Sequence, residues 1–136
     1  MCKAISAIMY TYYFEKLEVW QLSKDLMKEI YLITKEYPKS EFYGITSQLK
    51  RSSLSIPTNI AEGTGRESNK DQAHFTTMAY ASLMEVLNLL IVSYELNLIS
   101  KEKLLELRST TNHISNKLIG LRNAQLKRNT LNRQPS

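Results

Sequence analysis

The sequence predicts an all-α protein, a bundle of four helices in antiparallel up-and-down order. Three observations lead there. Apolar residues recur at helical spacing in four segments, and short polar or proline- and glycine-marked connectors separate them. No segment holds the two-residue alternation of a half-buried strand. At 136 residues the chain suits one domain, large enough to fold without covalent staples.

Leu17, Trp20, Leu26, Ile30, Ile33 and Tyr37 mark the first helix, and Val19, Leu22 and Met27 widen its stripe. Pro38 is expected to close it, because proline disfavours helical geometry at the residue before it. After KSEFYG the second helix follows Ile45, Leu49, Ile56 and Ile60. Ser52 and Ser53 lie on its stripe, where small side chains admit a close neighbour and hydroxyls bond back to carbonyls one turn earlier. Pro57 should kink it. Gly63 is expected to end it in a left-handed conformation, with Gly65 turning the chain.

The third helix opens on a capping box, Ser68 to Asp71, with Asp in place of the usual Glu. Phe75, Met78, Ala79, Ser82, Val86, Leu89, Leu90, Ser93 and Leu96 carry its long stripe. Ser100 caps the fourth helix and Glu102 suits its first turn. Leu104, Leu107, Thr111, Ile114, Leu118 and Leu121 continue it to about residue 127. The expected division is an N-terminal extension over 1–13, the bundle over 14–128 and a disordered tail over 129–136.

Composition narrows the chemistry. The one cysteine, Cys2, excludes an internal disulfide and a cysteine-based zinc site, and it suits a reducing compartment such as the cytoplasm. His74 and His113 lie far apart with no ligand spacing, so neither a metal nor a cofactor is expected. No apolar run reaches the ~18 residues of a membrane span, since LMEVLNLLIV contains Glu85 and Asn88. All 13 acidic residues precede Arg108, whereas Arg108, Lys117, Arg122, Lys127, Arg128 and Arg133 follow with no acid among them. The net charge of +5 therefore resides in the last helix and tail. Such a segment attracts phosphates by releasing counterions, and its cations equally suit the negative end of a helix dipole.

GTGRES resembles a phosphate loop only in its two glycines. A dinucleotide fingerprint needs a third glycine and a preceding strand, and a Walker loop needs Gly-Lys-Ser/Thr. The carboxylate pairs Glu15/Glu18 and Glu102/Glu106 sit among lysines, as on a solvated helix face. No catalytic residue is assigned. Asn59 and Glu62 need explanation, because both fall at the interior-facing edge of a helix lined with isoleucine. The structural expectation bonds Asn59 to a neighbouring helix and pairs Glu62 with Arg66 or with backbone N–H groups of the turn. The alternative places them against a ligand or subunit. Trp20, Tyr31, Tyr37 and Phe75 read as packing residues, and Tyr12, Tyr13 and Phe14 as packing across a bundle end rather than stacking on bases.

From about Phe14 to Arg122 the chain closely resembles the four helix bundle protein family, also called 23S ribosomal RNA intervening-sequence proteins. QLKRSSLSIPTNIAEGTGR carries the most specific part, supported by LEVWQ and by the stretch from Ala79 to Glu85. Gln48, Arg51, Ser55, Pro57, Asn59, Glu62, Gly63 and Arg66 match the shared motif, and Gly65 lies within it. The resemblance implies a small bacterial protein, not an enzyme, that assembles as a homopentamer. A related branch, the accessory variability determinant proteins, associates with a reverse transcriptase and RNA. The expected partners are thus further copies of the chain and RNA or another nucleic acid, with no membrane. Lys50, Arg51, Arg66, Arg108, Lys117, Arg122, Lys127 and Arg128 are the candidate phosphate contacts. The alternative is a scaffold that binds a partner protein such as a reverse transcriptase.

Overall fold

The computed structural model describes residues 9–132, with side chains as far as Lys127. Residues 1–8, the Arg128 side chain and residues 133–136 lie outside the described residues, and with them Cys2 and Arg133. Among the described residues the protein is all helical, with no strand. Helix α1 spans Glu18–Thr34, α2 Ile45–Thr64, α3 Asn69–Glu95 and α4 Lys101–Asn132. Short 3-10 turns at Tyr13–Lys16 and Lys39–Glu41 precede α1 and α2. Each helix packs on the next in sequence, and α1 also reaches α4.

The helix ends follow local chemistry more than hydrophobic periodicity. Helix α1 stops at Thr34, short of Pro38, and its end tightens through bonds from the N–H groups of Lys35, Glu36 and Tyr37 to carbonyls three residues back. Tyr37 remains buried beyond the last turn. Ser68 accepts the Asp71 N–H at 3.0 Å, and Ser100 accepts that of Lys103 at 3.1 Å, so both predicted caps form. The Asn97 backbone has a φ of 60°, a left-handed turn that closes α3.

Gly63 departs from expectation. No glycine among the described residues has a positive φ, and α2 continues past Gly63 to Thr64, with Gly65 as its C-cap. Gly63 is instead a packing glycine. A Cβ there would lie 2.9 Å from Phe75 Cβ and 3.4 Å from the Gln72 carbonyl oxygen. Helix α3 can approach α2 that closely only because no side chain intervenes.

The core is a column of fully buried aliphatic side chains drawn from all four helices. Leu26, Ile30, Leu49, Ile56, Ile60, Leu83, Leu90, Leu107, Ile114 and Leu118 are each at most 1% exposed. Each such side chain contributes about 1.5–3 kcal/mol relative to exposure. Several buried hydroxyls close their hydrogen bonds within their own helices. Ser52 donates to the Gln48 carbonyl at 2.8 Å, Ser23 to Val19 at 2.7 Å and Thr111 to Leu107 at 2.8 Å. Pro57 is buried inside α2, which runs through it. Helix α4 extends five residues beyond the predicted 127, and buried Gln125 takes a 2.7 Å bond from the Thr76 hydroxyl.

Helix α3 is the most apolar of the four: Phe75, Ala79, Leu83, Val86 and Leu90 are buried, Tyr80, Met84, Leu89 and Ile91 pack partly buried against the core, and Thr77, Glu85 and Asn88 are exposed. Contrary to the sequence expectation, it is long and apolar enough to cross a membrane by length and composition. Only 33% of its most apolar window is buried within the chain.

Candidate functional site

The motif that drew attention in the sequence builds the seam between α2 and α3. Asn59 donates from Nδ2 to both the carbonyl and the hydroxyl of Ser55, each at 2.9 Å. The Ser55 hydroxyl meets that of Ser82 on α3 at 2.9 Å. Asn59 therefore reaches the neighbouring helix through Ser55, not directly as expected. This three-residue chain satisfies the polar groups that a half-buried seam would otherwise leave costly.

Glu62 and Arg66 do not pair. Glu62 is exposed, and only its carbonyl is used, accepting the Gly65 N–H at 3.1 Å. The Arg66 guanidinium lies 4.4 Å from the centre of the Phe75 ring and 3.8 Å from the Asp71 carboxylate. The Arg66 carbonyl also accepts the Gln72 amide at 2.9 Å. Phe75 is thus held between Gly63 on one side and Arg66 on the other. Glycine and arginine in this motif are explained by that ring. Gln48 is exposed, and its carbonyl receives the Ser52 hydroxyl.

The candidate basic residues are dispersed. Lys117 pairs with Glu18 at 3.0 Å, and Arg122 donates to the Thr77 hydroxyl at 2.8 Å. Lys103 bridges Glu106 at 3.3 Å and Glu29 at 3.4 Å. Its pKa is raised, chiefly by the hydrogen bond to Glu106. Lys50 extends over the Tyr31 ring at 5.2 Å. Arg51, Arg108 and Lys127 are exposed, and none forms an ion pair among the described residues. Arg51 and Arg66 stand about 15 residues apart along α2 and its end, or ~22 Å.

Two surface features emerge that the sequence reading did not single out. A groove follows the outer seam of α3 and α4. One hollow of about 270 Å³ is lined by Thr76, Thr77, Tyr80, Leu118, Ile119 and Arg122. A second, of about 380 Å³, continues past Met84, Leu87 and Leu105 to Arg108. Ile119 is 45% exposed and Leu105 55% exposed. Both fall outside the α4 core stripe, and an isolated exposed leucine is common, so only their alignment with α3 makes them visible.

The second feature surrounds the start of α2. Phe42 and Tyr43 stand edge to face at 4.9 Å and are 55% and 91% exposed. With Lys50, Arg51 and Leu54 they line a hollow of about 390 Å³. The sequence signal is two adjacent aromatics in the polar connector KSEFYG, with Lys50 and Arg51 two turns into the helix that follows. By contrast Phe14 packs edge-on against Trp20 at 5.2 Å, as expected, whereas Tyr12 and Tyr13 are each 60% exposed.

Among the described residues no three His, Cys, Asp or Glu side chains gather as a metal site. No curated protein matches the chain. A solved structure from Bacteroides thetaiotaomicron, a protein of unknown function from the S23 ribosomal protein family, shares the fold with a TM-score of 0.68. It is 21% identical, and the match covers 76% of this chain and 96% of that one. Neither that structure nor the family description carries a named reaction. The profile of the 23S rRNA-intervening sequence protein family matches residues 15–120, which includes the α2–α3 seam and most of α4, and the chain belongs to that family.

Proposed function

We propose that the chain is a non-enzymatic building block, an antiparallel up-and-down bundle that assembles as a homopentamer and associates with RNA in the cytoplasm. The antiparallel course is supported by the pairs Glu18–Lys117 and Glu29–Lys103, where position rises on α1 as it falls on α4. The observation that carries assembly is the apolar seam of α3 and α4, where Tyr80, Met84 and Leu87 of α3 stand partly exposed. Apolar side chains aligned and left partly exposed along one seam mark a surface for further contact. Leu105 and Ile119 of α4 extend the same uncovered face. Five as the number of copies comes from the family resemblance.

RNA association is supported by a net charge of +5 placed after Arg108 and by Arg51, Arg108 and Lys127, which hold no carboxylate. The test is titration of labelled RNA at several salt concentrations. Each phosphate contacted steepens the log–log salt dependence by about 0.7–0.9. No binding at low salt, or binding insensitive to salt, contradicts the RNA reading.

The α3–α4 groove also favours a second reading, a scaffold whose apolar hollows take a helix of another protein such as a reverse transcriptase. Neutralising Arg122, Lys127 and Arg128 together should then leave partner capture unchanged. Capture lost with that triple substitution counts against the scaffold.

A further inference from the structure

The hollow at the start of α2 combines features that an assembly face does not require. Tyr43 is the most exposed of the large apolar side chains at 91%, and Phe42 braces it edge to face. The charged groups lining the hollow are both cations, Lys50 and Arg51. Lys50 lines the hollow and carries its ammonium over the Tyr31 ring at 5.2 Å. Helix α2 begins here on Gly44, which offers no side-chain cap; the Glu41 carboxylate reaches the Ile45 N–H at 3.5 Å, while among the described residues no side chain bonds the Thr46 or Ser47 N–H. Thr46, another lining residue, is 5% exposed, and among the described residues its hydroxyl has no hydrogen-bond partner. Exposed π faces, two cations and an unsatisfied hydroxyl together match a ligand with flat rings and an anionic backbone.

We infer that this hollow is a stacking site for unpaired nucleobases of single-stranded RNA, with Tyr43 and Phe42 as the platform and Lys50 and Arg51 as the phosphate contacts. The inference rests on the RNA reading above and locates it. It places recognition at the connector and first turns of α2, away from the basic last helix. Stacking on an aromatic face requires a base out of its pair, so the site discriminates single strands from duplex. A peptide would find no sheet edge to extend here, and the Glu41 carboxylate at this helix start is turned onto the Ile45 N–H.

The experiment is fluorescence anisotropy of the full chain with a labelled single-stranded RNA of about twelve nucleotides, beside the same sequence as a duplex. The variants are Tyr43→Ala, Phe42→Ala/Tyr43→Ala, Arg51→Ala and Tyr43→Phe, with circular dichroism to verify helix content. Tyr43→Ala should weaken single-strand binding about 5- to 100-fold while changing duplex binding less than about 2-fold. Tyr43→Phe should restore affinity, because it keeps the ring. Arg51→Ala should lower the single-strand salt slope by about 0.7, and Tyr43→Ala should leave that slope unchanged. RNA binding by the wild type that Tyr43→Ala does not weaken overturns the stacking site and leaves the RNA reading standing. No RNA binding by the wild type at low salt removes both. Unchanged RNA affinity with loss of self-association in Phe42→Ala/Tyr43→Ala reassigns the face to contact between copies and overturns the inference.

Discussion

Replacing Gly63 with alanine tests the packing account of the α2–α3 seam. Since Gly63 has ordinary helical geometry, alanine is not strained by its backbone. Its methyl would meet Phe75 Cβ at 2.9 Å, and that atom is fixed to the α3 backbone and cannot rotate away. Overpacking of this kind costs about 1–3 kcal/mol, against a gain of about 1 kcal/mol for alanine over glycine inside a helix. The net expectation is a loss of about 0–2 kcal/mol. For a chain of 136 residues that is a fall of up to about 7 °C in Tm. Gly120 provides the control, as it lies within α4 and an added Cβ meets nothing within 4 Å. Gly120→Ala should raise Tm by about 3 °C. Thermal unfolding followed by circular dichroism, at one fixed protein concentration, reads both. A Gly63→Ala variant as stable as Gly120→Ala would refute the close-approach explanation.

The Ser55–Ser82 contact should show coupling of about 0.5–1.5 kcal/mol in a double-mutant cycle with alanine, read by urea unfolding; additive single effects would remove it from the seam. Ser68→Ala should cost about 1 kcal/mol through loss of the α3 cap, whereas Ser68→Asp should cost little. Tyr37 offers a pH test. Burial raises its phenol above the ordinary value of 10.0, and Ser93 beside it offsets part of that without reaching bonding geometry. The native state then holds a proton that the unfolded chain releases, so this share of stability is complete below pH 10 and is lost as pH rises above it. Tyr37→Phe should be neutral or slightly stabilising at pH 7 and should flatten the alkaline decline; an unchanged decline would clear Tyr37 of it.

Much of the fold was legible because each helix combines a strong apolar stripe with local punctuation. Ser68 and Ser100 act as caps wherever the surrounding packing goes, so their roles could be read from spacing alone. Gly63 was misread for a physical reason. A glycine near a helix end usually supplies a left-handed turn, and whether it instead admits a ring depends on Phe75, a residue of the next helix. Asn59 and Glu62 share one segment but separate in role, Asn59 joining the seam through Ser55 and Glu62 facing outward. Their spacing put both near the interior edge, and only helix rotation decides between them. Gln125 was missed because a polar residue beyond Leu121 gives no apolar signal, yet it is 3% exposed against Thr76. The basic residues form one group by charge count and several by position, since Lys117 and Arg122 are engaged by Glu18 and Thr77.

Assembly through the uncovered α3–α4 face is the central claim, and the mass in solution tests it most directly. Light scattering coupled to size exclusion, at micromolar concentration, should give about five times the 15.7 kDa chain mass. Leu105→Lys with Ile119→Lys should reduce that mass to the single chain while leaving the helical spectrum intact. A wild-type mass of one chain, or an oligomer indifferent to both lysines, would contradict the account.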